Sequence, residues 1–273
     1  VKAIECQGVT FSYRSGQGLA GVSFAVDRGE ILGIVGPNSA GKSTLLRLLS
    51  KVVLPQQGRI RIEGCDVTGL SRLELARRMA VIPQTFEVAF PFRVAEIVWM
   101  GRYPHGAARS RTNARDQAAV QAALEATGLA ALAARRMDEL SGGERQLVSI
   151  AKALAQEPSV LLLDEPTAHL DLRHQRVVVE VLFRLRRERQ GTSILVSHDL
   201  NLAAEYCDRL LLLGQGRVLS LGPPEEVITP EYLEPAYGCP VTVDRHPVSG
   251  RPRVQGNLEA PHRTGTQHTT HRM

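Results

Sequence analysis

Aromatic side chains are scarce: Phe, Tyr and Trp make up 4% of the 273 residues, with a single tryptophan. A core must then be built from aliphatic residues, and 43% hydrophobic content is ample for one large domain or two small ones. The four cysteines, Cys6, Cys65, Cys207 and Cys239, stand far apart with no Cys-x-x-Cys pair. This disfavours zinc and disulfide frameworks and leaves reduced thiols in or near the core as the reading. Nowhere do the roughly 18 consecutive apolar residues of a spanning helix occur. Even the Ala-rich stretch from Gln117 to Ala134 is broken by Glu125 and Gly128. Lys2 and Glu5 flank only a short apolar stretch, so no signal peptide is read there and a soluble intracellular protein is expected. A large excess of one charge is also lacking. The net charge of +5 suits an anionic membrane surface or nucleic acid without requiring either. Arg184, Arg186, Arg187 and Arg189 crowd one predicted helix end, where the dipole favours cations.

What is present is a succession of periodic segments. Val22, Phe24 and Val26 alternate as a strand does, Asp27 to Glu30 forms a turn, and Ile60 and Ile62 extend a β-rich layer. Ser71-x-x-Glu74 is a capping box opening a short helix through Arg78, followed by a brief strand at Val81-Ile82 that ends at Pro83-Gln84. From Thr85 to about Pro158 the pattern is mostly helical, with Val94, Ile97 and Val98 on one face and Val120, Ala123 and Leu124 on another. Strand signals return at Val160 to Leu163, Ile194 to Ser197 and Leu210 to Leu213. The helical stretch therefore reads as an insertion in one parallel α/β core. Gly214-Gln215-Gly216 is a hairpin turn to Val218-Leu219, and Pro223-Pro224 begins a helical appendix. The tail from His246 onward, with four Arg against one Glu, reads as loosely ordered. His262, His268 and His271 within it are a metal site or, as preferred, a tail without function.

The chemistry begins at Gly36-Pro37-Asn38-Ser39-Ala40-Gly41-Lys42-Ser43, a complete phosphate-binding loop between the apolar run Ile31 to Val35 and the amphipathic Leu45, Leu46, Leu48, Leu49 and Val52. A buried strand feeding a glycine-rich turn and then a helix aims backbone N–H groups and the positive helix end at one small volume, which polyphosphate fills. Lys42 is placed to reach the β- and γ-phosphates, Ser43 to ligate a bridging Mg²⁺, and Thr44 closes the loop. The chain is expected to handle a nucleoside triphosphate.

Val160 to Leu163 delivers Asp164 and Glu165 to a strand end, where ligands sit in open α/β sheets. Asp164 is suited to the Mg²⁺ shell and Glu165 to polarising an attacking water. Ser141-x-x-Glu144 is a second capping box, and Gly142 and Gly143 would let a phosphate approach that helix start closely. With the helical insertion separating the two phosphate sites, each is expected to serve a different copy of the chain in a head-to-tail dimer that sandwiches two ATP molecules.

Residues 1 to about 240 resemble the ATP-binding subunits of ABC transporters. The resemblance rests on Tyr13, where that family stacks adenine, on the Walker A loop, on the Q-loop residue Gln84, and on the signature Leu140-Ser141-Gly142-Gly143-Glu144. Walker B ending at Asp164-Glu165, the D-loop Ala168-His169-Leu170-Asp171 and the switch residue His198 complete the order. It implies an α/β P-loop NTPase core with an antiparallel β subdomain and an α-helical subdomain inserted at about 85–158, followed by a partly disordered extension at 241–273. It also implies ATP and Mg²⁺ as ligands, with Ser43, Gln84 and Asp164 about the metal. Lys42, Gln84, Glu165 and His198 would be catalytic, with His198 on the γ-phosphate and the attacking water. Asp171 would couple the two sites, while Gln84 would report nucleotide state to a permease. The alternative reading of Tyr13 is an ordinary strand aromatic. Ser39 departs from the glycine common in the family, at a cost of about 1 kcal/mol if φ there is positive.

Phe86, Phe90 and Phe92 follow Gln84 closely, with Trp99 beyond. They form either the core of the helical subdomain or an apolar seat for a partner helix. The run from Phe90 to His105, with Thr167 to Asp171 and Gly222 to Val227, resembles the subgroup serving importers of metal chelates, namely ferric siderophores, haem and cobalamin. That subgroup implies a homodimer on the cytoplasmic face of the inner or plasma membrane, permease subunits as partners, a solute-binding protein acting indirectly, and no direct nucleic acid. A ferric siderophore is the first expectation for the cargo, with haem or cobalamin as alternatives. A nucleic-acid ABC ATPase is the rival, but Lys42 and Ser141 lie too close in sequence to admit a long coiled-coil insertion.

Overall fold

The computed structural model describes residues 1–88, 90–106, 113–168 and 170–256, and of Arg189 only the backbone. Strands β1 (Lys2–Ser12), β2 (Gly18–Asp27), β4 (Gln57–Ile62) and β5 (Cys65–Asp66) form an antiparallel sheet in the order β2-β1-β4-β5. Between them lie β3 (Ile31–Val35) and α1 (Lys42–Leu49). After β5 come α2 (Arg72–Arg78) and β6 (Met79–Ile82), then the helices α3 (Val94–Met100), α4 (Ala114–Ala126) and α5 (Gly142–Ala155). The chain returns as β7 (Val160–Asp164), α6 (Leu172–Arg189), β8 (Thr192–Val196), α7 (Leu200–Tyr206), β9 (Arg209–Gly214) and β10 (Arg217–Gly222). It continues through α8 (Pro224–Val227) and α9 (Pro230–Tyr237) to a hairpin of β11 (Val241–Arg245) and β12 (Pro252–Gly256).

The central sheet runs β10-β9-β3-β8-β7-β6, parallel except for the β9–β10 hairpin. Its strands are apolar on both faces because both are covered. Ile31, Val35, Leu161 and Leu163 face a core shared with α3 to α9, whereas Leu32, Ile34, Val160 and Leu162 face one shared with α1 and the antiparallel sheet. Gln215 and Gly216 both take positive φ, 49° and 75°, as a two-residue turn whose twist matches its strands requires. Parallel pairing of β6 with β7 brackets the helical insertion as the sequence predicts.

Within that insertion Arg102 is 1% exposed and bonds Asp116 Oδ1 (2.8 Å), the Ala155 carbonyl (2.7 Å) and Glu157 Oε2 (2.9 Å), tying the chain after α3 to α4 and to the end of α5. The aromatic cluster divides: Phe86, Phe92 and Trp99 pack on the core, while Phe90 is 69% exposed. The loosely ordered reading of the tail is corrected through Gly256, since β11 and β12 pair from Val241↔Gly256 to Arg245↔Pro252 and β12 rests on α7. Glu259, His262, His268 and His271, and the D-loop residue His169, lie outside the described residues. Among the described residues no helix is long and apolar enough to cross a membrane, no cluster of His, Cys, Asp and Glu could hold a metal alone, and the four cysteines are free.

Candidate active site

The site is built where β3 stops. Gly36 takes φ 144°, and a Cβ there would meet the Leu213 carbonyl oxygen at 2.1 Å, so only glycine passes β9 at this point. Gly41, at φ 105°, precedes the first residue of α1. That helix has no side-chain cap and no acidic residue in its first turn. Its first N–H groups and dipole end are therefore left for an anion. Ser39 does take positive φ, 65°, so the cost anticipated for serine applies. Lys42 is 8% exposed, and its Nζ donates to the carbonyls of Gly36 (2.6 Å) and Pro37 (2.9 Å), which holds the cation inside the loop. Burial pushes its pKa down, while Glu165 and Asp164 oppose that shift.

An open cleft of about 240 Å³ is lined by Tyr13, Asn38 to Thr44, Gln84, Asp164 and Glu165. Eleven of the sequence-assigned residues thus share one wall with Gly36 and Pro37 behind it. Tyr13 opens the turn after β1, its ring edge-on to Phe11 (4.8 Å) and its hydroxyl accepting from Arg47 (3.4 Å). Gln17 and Gly18, brought in by the folding of the β1–β2 turn over the loop, and Val196, at the end of β8, also line the cleft and were not anticipated.

Asp164 ends β7, and Glu165 follows with φ 51°, a strained position held by its N–H bond to the Val196 carbonyl (3.0 Å). Burial, then the neighbouring Glu165 charge, push the Asp164 carboxyl up, with Lys42 and Arg47 opposing. Two carboxylates in one half-buried corner next to the Ser43 hydroxyl and the Gln84 amide are an oxygen-rich donor set that suits a hard divalent cation. His198 leaves β8 and reaches back: its Nδ1 meets Glu165 Oε2, and its N–H donates to the same oxygen (3.3 Å).

Ser141, Gly142, Gly143 and Asp171 are not in this cleft. They gather elsewhere. Ser141 Oγ accepts from Glu144 N (3.2 Å) and the Glu144 carboxylate accepts from Ser141 N (2.8 Å), completing the cap of α5. Gly142 faces open space, and a Cβ on Gly143 would come within 3.0 Å of the His174 ring. His174 is in turn held by Asp171, the N-cap of α6 (2.7 Å). One chain therefore carries a phosphate cleft and, apart from it, a serine-glycine helix start beside the D-loop aspartate.

Residues 19–168 match the family model described as ABC transporter. The chain belongs to that family. Over 257 residues it is 42% identical to the hemin import ATP-binding protein HmuV of Pseudomonas putida, covering 92% of this chain and 98% of that protein. It is 44% identical over 229 residues to the cobalamin import ATP-binding protein BtuD of Halobacterium salinarum, covering 84% of this chain and 57% of that longer protein. Among solved structures, one described as an inward-facing conformation of a metal-chelate type ABC transporter superposes with a TM-score of 0.82 at 29% identity, over 95% of this chain and 99% of that one. This ABC protein is the ATP-binding, ATP-hydrolysing subunit type, with the P-loop core, antiparallel sheet and helical insertion of its relatives.

Proposed function

We propose that two copies of the chain close head to tail over two ATP molecules and that hydrolysis drives import of a metal chelate, haem first among the candidates, through membrane permease subunits. The observation that carries the reading is the joining of Lys42, Asp164, Glu165 and His198 around one cleft while Ser141 and Asp171 stand apart from it. On ATP binding, Lys42 exchanges the Gly36 and Pro37 carbonyls for β- and γ-phosphate oxygens, and Tyr13 covers the adenine. Ser141, Gly142 and Gly143 of the partner copy complete the phosphate shell from the other side. Glu165 orients a water and takes its proton as the water oxygen bonds to the γ-phosphorus and the bond to the ADP oxygen breaks; His198 holds the terminal phosphate. Ser43, Gln84 and Asp164 would hold Mg²⁺, which when bound neutralises charge on the β- and γ-phosphates. Closure is passed through Gln84 and the neighbouring Phe90 surface to the permease on the cytoplasmic face of the membrane.

Haem is placed ahead of a ferric siderophore because a relative covered almost end to end is a hemin import protein. Cobalamin is second, on the Halobacterium salinarum relative. The test is ATP-driven uptake by the chain reconstituted with its permease and binding protein, offered haem, cobalamin and a ferric siderophore in parallel. Haem uptake that requires ATP is the expected result. Uptake of the siderophore alone would replace the cargo, and uptake of none with ATPase intact would remove the transport reading.

A further inference from the structure

The start of α6 departs from the way this chain caps other helices. At Ser71, Arg93, Arg136 and Ser141 the residue three places on is a glutamate, whose carboxylate accepts from the N–H of the capping residue. At Asp171 that place is taken by His174, and its ring turns elsewhere. To cap α6, the Asp171 carboxylate needs only the backbone N–H of His174 (2.9 Å). It takes the ring Nδ1 as well, on the same oxygen (2.7 Å). An ionised carboxylate can only accept, so Nδ1 carries the proton and the bond is charge-assisted. The backbone bond first, and the ring bond with it, hold the Asp171 carboxyl below its usual range and keep it ionised.

The same ring is set against the start of α5. A Cβ on Gly143 would lie 3.0 Å from Nδ1, 3.1 Å from Cε1 and 3.2 Å from Cγ, so a residue without one lets the imidazole lie this close without shifting. The His174 side chain is 20% exposed and that of Asp171 65%, so a covered ring holds a carboxylate that faces solvent. One imidazole thus bridges the D-loop aspartate and the serine-glycine helix start, which belong to different elements.

Resting on the reading that Ser141 to Gly143 serve the ATP of the partner copy, we propose that His174 is a positioning residue of the ATPase. Its ring locks Asp171 onto the start of α5, so that the D-loop and the serine-glycine loop meet the neighbouring nucleotide as one body. The chain's own cleft is untouched by this contact, because neither His174 nor Asp171 lines it.

The experiment compares His174→Ala, His174→Asn and His174→Gln in the full chain, by ATP turnover and by ATP binding to the dilute chain. His174→Ala is expected to lower kcat about ten-fold, the effect of one hydrogen bond to a charged group, with ATP binding unchanged. Asparagine carries an amide N–H at the place of Nδ1 and a carbon at the place of Cγ, so His174→Asn should recover most of the loss. Glutamine brings its amide to the place of Nε2 instead, and His174→Gln should not. A parent-like kcat for His174→Ala, a loss of ATP binding in step with turnover, or a glutamine variant as active as the asparagine one overturns the proposal. Ser141→Arg in the same assay separates the proposal from its premise. Normal turnover by that variant removes the half-site and the proposal together, whereas an inactive Ser141→Arg beside a fully active His174→Ala defeats the proposal alone.

Discussion

Asp164 is the residue at which stability and activity pull apart. Burial and the Glu165 charge hold its carboxyl above the usual range. The folded protein therefore binds that proton more tightly than the unfolded chain does. The contribution of Asp164 to stability is complete below the unfolded carboxylate range and is lost as pH rises through its raised folded value, so the ionised group is a net cost at neutral pH. Asp164→Asn is expected to raise the nucleotide-free Tm by about 2–4 °C, on the order of 1 kcal/mol, while ATP turnover falls about 100-fold. Calorimetry against pH checks the cause: the Tm advantage should shrink toward zero as pH falls into the unfolded carboxylate range. A variant less stable than the parent at neutral pH would mean that favourable contacts to the carboxylate outweigh its burial. Residues of this kind were legible because their chemistry fixes type and spacing together. Glycine at 36, lysine at 42 and adjacent carboxylates after four apolar residues admit few substitutes. Gln17 was not legible, because what qualifies it is proximity created by the fold, not a pattern along the chain.

Elements split along the same line. Both capping boxes, Ser71 with Glu74 and Ser141 with Glu144, form as the sequence predicts, since two side chains at fixed spacing satisfy each other locally. The hairpin β11–β12 was missed because its stretch is rich in Pro, Arg and Gly and its ordering depends on a distant element, α7, through Asn201. Phe90 and Phe92 were indistinguishable in sequence and differ in the fold. Phe92 packs on the core and its carbonyl accepts from Met137 N (2.9 Å), while Phe90 points its ring largely into solvent. Phe92→Ala is therefore expected to cost about 2 kcal/mol by chemical denaturation, below the range for a fully buried phenylalanine. Phe90→Ala should stay within about 0.5 kcal/mol of the parent and retain basal ATPase. If Phe90 meets the permease, the same substitution weakens stimulation of the ATPase by the reconstituted permease. Full stimulation with Phe90→Ala would mean that its exposed ring serves no partner.

At the scale of the whole molecule the proposed function requires that each chain carry two half-sites rather than one site. The Lys42 cleft lacks Ser141, and the Ser141 helix start lacks a lysine. A closed two-fold dimer pairs unlike halves across its interface twice, so each ATP draws on both chains. Lys42→Ala destroys one half and Ser141→Arg the other, and each variant alone is expected to be inactive. Mixed in equal amounts, the two variants form heterodimers in which one site receives both lesions and the other receives neither. ATPase should then reappear on mixing, up to about a quarter of the parent rate if subunits exchange freely and the intact site works alone. Activity that stays at zero whatever the mixing ratio, although the variants are shown to associate with ATP, would mean either that both half-sites serve ATP within one chain or that the two sites must fire together. Chemical cross-linking between a cysteine introduced at Asn38 and one at Gly142 separates these outcomes, since only the head-to-tail arrangement joins them between chains.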